Sequence, residues 1–318
     1  MQYPIRSVSM PGDEVQNIAA ATEASAKLGD TILKGLGMAL NHVFEFDVKQ
    51  IDRVSTAKAN ARAREITAEA EAWANAAIVL KDLDNELIQR TGQRVLIQSV
   101  KRQENIEKTL LLTDEDLRDS SQPISEIPVD EDWAVKFFNI AQDVSNEEMQ
   151  LLFAKILSGE IRNPGSFSAR TVQALSLLDT TTANIFRKFC DITIEVTPVA
   201  DLLTAVLWEP FGPPGTNGLA PVGLSYLQLT QLQDAGLIQH DLSAYREIPL
   251  PILTFPCKIG DQPFQFHFDG DAQYGNVRLK VLHFTKIGLE LRKVTNFSSD
   301  PVYNTKFIEW IKTKFNLI

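Results

Sequence analysis

From Ala57 to Leu110 the chain contains no proline and a single glycine, Gly92. Ala, Glu, Lys, Arg, Gln and Leu dominate this stretch, and these are the strong helix formers. The segment therefore reads as one long helix. Ala59, Ala63, Ile66, Ala70, Trp73, Ala77, Leu80, Asp84 and Leu87 alternate spacings of four and three, an a/d seam of about four heptads. The seam then slips by one position and continues through Ile88, Gly92, Val95, Ser99, Arg102 and Ile106, so a bend is expected at Gly92. A lone helix cannot bury such a seam. Covering Ile66, Trp73, Leu80, Leu87 and Ile106 would stabilise a pairing by roughly 1.5–3 kcal/mol for each side chain. Self-association is favoured over an internal hairpin, with Ile66, Ala70, Trp73, Ala77, Leu80 and Leu87 as the oligomer seam.

Upstream, Met1 to Gly12 reads as a loose arm. Ile18 to Val43 reads as a helix with Ala21, Ser25, Leu28, Ile32, Gly35 and Ala39 on one face. Small residues let a second helix approach closely, in a bundle or at a membrane. The polar face has few cations, which favours the bundle; a membrane-acting role through 18–43 is the alternative. No uncharged run approaches the roughly 18–20 residues that span a bilayer.

The formal charge of −10 disfavours general nucleic-acid affinity, which needs clustered Lys and Arg. Between Thr113 and Gln150 only Arg118 and Lys136 oppose a long series of acids. A solvated linker is favoured there over a docking surface for a basic protein partner. Cys190 and Cys257 lie far apart in the sequence, with neither disulfide nor metal spacing, which suggests a reducing compartment. No basic-then-apolar leader opens the chain. A cytoplasmic location is expected, with a peripheral inner-membrane one as the alternative.

The stretch GEIRNPGSFSARTVQAL, Gly159 to Leu175, breaks a helical pattern and then restarts it. Pro164 cannot continue a helix ladder. Before it, Ser145 and Glu148 suggest a capping box, and Met149, Leu152, Phe153, Ile156 and Leu157 form a stripe. After it, Ser168 and then Asp179 or Thr180 can cap new helices. Short capped helices make a compact module. Beyond Cys190, proline, aromatic and β-branched residues rise. LSYLQLTQLQDAGLI reads as a helix ended by Gly236. FQFHFDGDAQYGNVRLKVLHF reads as a hairpin about an Asp-Gly turn.

The fold class expected is mainly α with a C-terminal α+β domain: a long coiled-coil-like helix, a compact helical module and a winged-helix-like end. The spans are 1–48 for the arm and small-residue helix, 49–112 for the long helix, 113–128 for an acidic linker, 129–190 for the module and 191–318 for the α+β domain.

RTGQRVLIQSVKRQENIEKTL, followed by the Trp133 segment and the Gly-Glu…Pro-Gly-Ser-Phe-Ser turn, resembles a bacterial family of unknown function, domain of unknown function 2806. The resemblance carries no catalytic residues with it. The helical module is also similar to that of the abortive-infection alpha proteins of bacteria, which implies a role in defence against phage. The C-terminal order of helix, strands and FTKIGLEL resembles a winged-helix domain with an enlarged wing. From Leu219 to His240 it departs from DNA readers, because no Lys or Arg is present to reach bases or phosphates.

Spacing motifs for catalysis are weak. His267, Asp269 and Asp271 form a polar candidate, for which a solvated turn is the favoured reading. PFGPPGTNG lacks the Gly-Lys-Ser/Thr end of a phosphate loop. Arg90, Arg94, Arg102, Glu104 and Asn105 gather where the seam weakens and form a candidate docking face. No metal, cofactor or catalytic residue is expected. The function expected is that of a non-catalytic, self-associating interaction protein, with a nucleic-acid-linked regulator or a membrane-acting effector as alternatives.

Overall fold

The structure is a computed structural model. It describes residues 85–120, 122–196, 204–213, 215–249, 254–267 and 276–315, together with Ile32, Gly35 and Leu36. The chain divides into two compact units, Met1–Ala169 and Arg170–Ile318. Its described residues are mainly helical, with an antiparallel sheet in the C-terminal part.

In the first unit, α1 (Asn85–Asp119) is followed by α2 (Glu131–Ala141) and α3 (Glu147–Arg162). α1 is helical straight through Gly92, so a glycine in an unbroken helix stands where a bend was expected. The acidic linker expected from Thr113 starts later, because α1 continues to Asp119. Two of its acids face partners: Asp114 pairs with Arg118 at 2.5 Å and Asp116 with Arg162 at 2.9 Å, while Leu117 is buried. Thr109 and Thr113, both fully buried, return their hydroxyls to the carbonyls of Asn105 and Thr109, which satisfies them inside a helix.

α2 is capped by Asp130, whose carboxylate accepts the Trp133 N–H. α3 is capped by Asn146, which accepts the Met149 N–H at 3.0 Å. The cap is therefore one residue later than the Ser145 box read from the sequence. The core between these helices holds Phe137, Phe138, Phe153, Ile156, Leu157 and Ile161. Trp133 stacks on Phe137 with centroids 5.1 Å apart. Ile32, Gly35 and Leu36 are buried here too. The Gly35 carbonyl accepts the Val129 N–H, and a Cβ on Gly35 would lie 2.6 Å from Ile161 Cγ2. Ile32 and Gly35, the two described positions of the small-residue face, are thus buried against protein.

The module expected over 129–190 is divided, since α4 (Ala169–Ser176) begins at the unit boundary and α5 (Thr180–Asp191) lies beyond it. Asp179 caps α5, and its bonds to the Thr182 N–H and hydroxyl hold its carboxyl below the usual range. The second unit then adds β1 (Ile194–Val196), β2 (Thr204–Leu207), α6 (Tyr226–Asp234), β3 (Ile238–Gln239), β4 (Tyr245–Pro249), β5 (Thr254–Ile259), β6 (Gln262–His267), β7 (Asn276–Phe284), α7 (Lys286–Arg292) and α8 (Pro301–Phe315). The sheet order is β3-β7-β2-β1-β5-β6, with β4 also on β7.

The hairpin expected between FQFHF and NVRLKVLHF is not formed. β6 pairs with β5, and β7 with β2, β3 and β4. The tight turn is instead Gly260-Asp261, flanked by the Ile259–Gln262 pair. Gly260 has φ +58, which suits glycine. A side chain there would also meet the Asp191 carbonyl at 2.6 Å and the Ser298 carbonyl. Thr285 links the two helices that flank the strands. Its hydroxyl donates to Gly236 O at 2.6 Å and accepts the Gly288 N–H at the start of α7. Tyr303 of α8 is fully buried and donates to Leu207 O at 2.7 Å.

Candidate interaction surfaces

The two halves of α1 differ in surroundings. In the first, Leu87, Val95 and Ile97 are 49%, 45% and 47% exposed, and Arg90 and Arg94 are exposed beside them. Arg90 Nε donates to the Glu86 carbonyl at 3.3 Å. From Arg102 onward the helix is committed to its own unit. Arg102 pairs with Asp143 at 2.7 Å. Asn105 Nδ2 donates to Gln142 O at 2.8 Å, just past the end of α2, while its Oδ1 accepts from Gln150 Nε2 at 3.3 Å. Gln150 also donates to Val144 O at 2.9 Å. Within the polar run of Gln103, Glu104 and Asn105, it is thus Asn105 that anchors the α2–α3 junction, while Gln103 donates to Glu107 on its own helix at 2.7 Å. Of the candidate docking residues, Arg90 and Arg94 stand in the exposed half, Arg102 and Asn105 bind this junction, and Glu104 is half-buried. Of the oligomer seam, Leu87 is exposed; Ile66, Ala70, Trp73, Ala77 and Leu80 lie outside the described residues.

The Gly159–Phe167 turn is built around a buried carboxylate. Glu160, 2% exposed, accepts the Gly165 N–H and the Phe167 N–H, the latter at 2.9 Å. The Trp133 indole N–H donates to Phe167 O at 2.7 Å. A Cβ on Gly159 would come within 2.6 Å of the Phe167 ring. Glu160, Gly159 and Trp133 together dictate where the chain reverses.

Sites for chemistry are sparse. His267 ends β6, and Asp269 and Asp271 lie outside the described residues. Among the described residues, no group of three or more His, Cys, Asp or Glu side chains could hold a metal ion. Both cysteines are buried and free. Burial pushes the Cys257 thiol up to about 12 and the Cys190 thiol higher still, so neither is a ready thiolate nucleophile. His283 lies opposite Gln239 across β3 and β7, and His240 directly follows Gln239 in the chain. Burial lowers the pKa of both, and the nearby Arg246 cation adds to this at His283, against Asp241. Periodicity in the sequence gives no sign of this cross-strand proximity.

Cations and rings also gather in the second unit, brought together from separate stretches of sequence. Lys280 Nζ sits 5.5 Å from the Trp208 ring centre, Lys306 Nζ 5.4 Å from that of Phe211, and Lys314 Nζ 4.5 Å from that of Trp310. Glu209 joins two of these positions. It accepts from Lys314 Nζ at 3.2 Å and from the Lys280 backbone N–H at 3.1 Å.

The fold is thus a helical unit whose long helix is half exposed over its first part, followed by an antiparallel-sheet unit. The model for the protein family of unknown function DUF2806 matches residues 89–308, and the chain belongs to that family. No curated protein and no solved structure matches it. No helix among the described residues is long and apolar enough to cross a membrane.

Proposed function

We propose that this chain is a non-catalytic interaction protein that self-associates along its long helix. The observation that carries the reading is the contrast within α1. Its second half buries Ile106, Leu110 and Leu117, while its first half leaves Leu87, Val95 and Ile97 about half exposed. Leu87, at the end of the alanine-rich heptads, and Val95 lie eight residues apart, close to one face of the helix. A second copy offering the same face would cover both, with the upstream heptads extending the contact. Light scattering on the full chain tests this. Self-association at micromolar concentration is expected, and Leu87→Glu with Val95→Glu should weaken it by about 100-fold or more, since each lost apolar contact is worth roughly 1.5–3 kcal/mol. A strict monomer, or an unchanged mass in the variant, would overturn the reading.

The α6–β3 segment, the following strands and α7 support a winged-helix-like reading of the second unit, as a protein-contact module. α6 exposes Tyr226 at 63% and Leu227 at 75% and carries no Lys or Arg. A role in defence against phage rests on the likeness of the helical module to abortive-infection alpha proteins. Equal plaque counts with and without the gene would remove it.

A further inference from the structure

The charge of −10 is not shared evenly. Residues 170–318 hold 13 Lys and Arg against 14 Asp and Glu, a net of −1, so −9 belongs to the first unit. The nearly neutral second unit therefore can hold a local cationic surface that the whole-chain balance hides. The Lys280–Lys306–Lys314 strip is such a surface, and it interleaves cations with rings. It continues along β7 and β4: Lys280 pairs in register with Tyr245, and Arg278 lies 4.9 Å from the Tyr245 ring centre. Tyr245 is 48% exposed and Trp310 partly so. Two carboxylates interrupt the strip, and each is already paired, Glu209 to Lys314 and Glu247 to Arg278. Lys280 and Lys306 are exposed. Beneath Lys280, the indole N–H of Trp208, a residue only 5% exposed, has no hydrogen-bond partner. A buried donor in that state calls for an acceptor.

We propose that this strip binds single-stranded nucleic acid. Lysines spaced along a surface hold successive phosphates, and partly exposed rings between them stack unpaired bases without reading sequence. The Trp208 N–H lies in the ring plane, so a phosphate oxygen reaching the edge of that ring would give it an acceptor. The rings favour a strand over a duplex, whose bases are already stacked. The proposed contact lies away from α6, so it does not need the cations that helix lacks. It is also independent of self-association: the Leu87→Glu/Val95→Glu chain should still bind.

Fluorescence anisotropy on the full chain tests it, with labelled oligo-dT and oligo-U of about 20 nucleotides at about 50 mM salt, a matched duplex, and a poly-glutamate competitor. Strand binding is expected, reduced about tenfold or more by Lys280→Ala/Lys306→Ala/Lys314→Ala. The slope of log affinity against log salt should fall by about two, at roughly 0.7 for each lost phosphate contact. Lys286→Ala/Lys293→Ala, off the strip, should bind as the parent does. Circular dichroism checks that each variant folds. If the triple variant does not, Lys280→Gln/Lys306→Gln keeps the Lys314–Glu209 pair and should still weaken binding several-fold. No binding by the parent, equal affinity for the duplex, equal competition by poly-glutamate, or strip variants that bind normally would each overturn the proposal.

Discussion

Glu160 and Phe167 are joined across the chain reversal that ends α3: the buried carboxylate accepts the Phe167 N–H at 2.9 Å, and its other oxygen accepts the Gly165 N–H. Glu160→Ala would strand two backbone donors in a dry turn, at a cost of about 3 kcal/mol. Glu160→Gln keeps one good acceptor and should cost less. Trp133→Phe, which loses the 2.7 Å bond to Phe167 O and part of a buried, stacked ring, should cost about 2 kcal/mol. Urea denaturation of the three variants should show Glu160→Ala as the costliest.

Gly35 and Gly92 should respond in opposite senses to alanine. A Cβ on Gly35 would press on Ile161 at 2.6 Å, which predicts a loss of about 1–3 kcal/mol. A Cβ on Gly92 meets nothing within 4 Å, so Gly92→Ala should stabilise α1 by about 1 kcal/mol. Thermal unfolding of both variants reads the two signs. If Gly92→Ala also weakens self-association, a partner helix approaches at that point.

Among the described residues, two ion pairs join α1 to its unit, and they should not be equal. Arg102 and Asp143 have side chains 49% and 59% exposed, so Asp143→Asn should change stability by less than about 1 kcal/mol. Asp116 binds Arg162, only 13% exposed, and also accepts from Ser158 at 2.6 Å. Asp116→Asn leaves a mostly buried guanidinium without its counter-charge and should cost about 2–3 kcal/mol. Denaturant midpoints with unchanged slopes would separate the two.

The second unit should lose stability in mild acid. Burial holds His240 and His283 below the ordinary value of 6.5. The unfolded chain then binds protons that the folded chain refuses. The stability this contributes is complete above pH 6.5 and is lost as the pH falls through the folded values. The melting temperature should therefore drop between about pH 7.5 and 5.5. His240→Gln/His283→Gln should flatten that drop; an identical drop in the variant would show that other groups cause it.

Local signals carried the sequence reading where neighbours in sequence decide the structure. Asp179 announces α5, Gly236 ends the α6 region, and the apolar stripe from Met149 to Leu157 marks most of the core face of α3, although Met149 and Leu152 are only half-buried. Long-range pairing was not legible. The acids at Asp114 and Asp116 look like linker residues until Arg162, far along the chain, is placed beside one of them. Asp-Gly after β6 is a stronger turn signal than Gly260-Asp261, yet the second closes a hairpin because its neighbours pair in register. Lys280, Lys306 and Lys314 look dispersed until β7 and α8 bring them to Trp208, Phe211 and Glu209.

β7 adjoins β2, β3 and β4, yet it is the last strand in the chain. During synthesis the first unit can close once Ala169 has cleared the ribosome, but three earlier strands must wait with open edges for Phe284. The second unit therefore matures late, and a message truncated before Asn276 would release a product whose unmet strands invite aggregation.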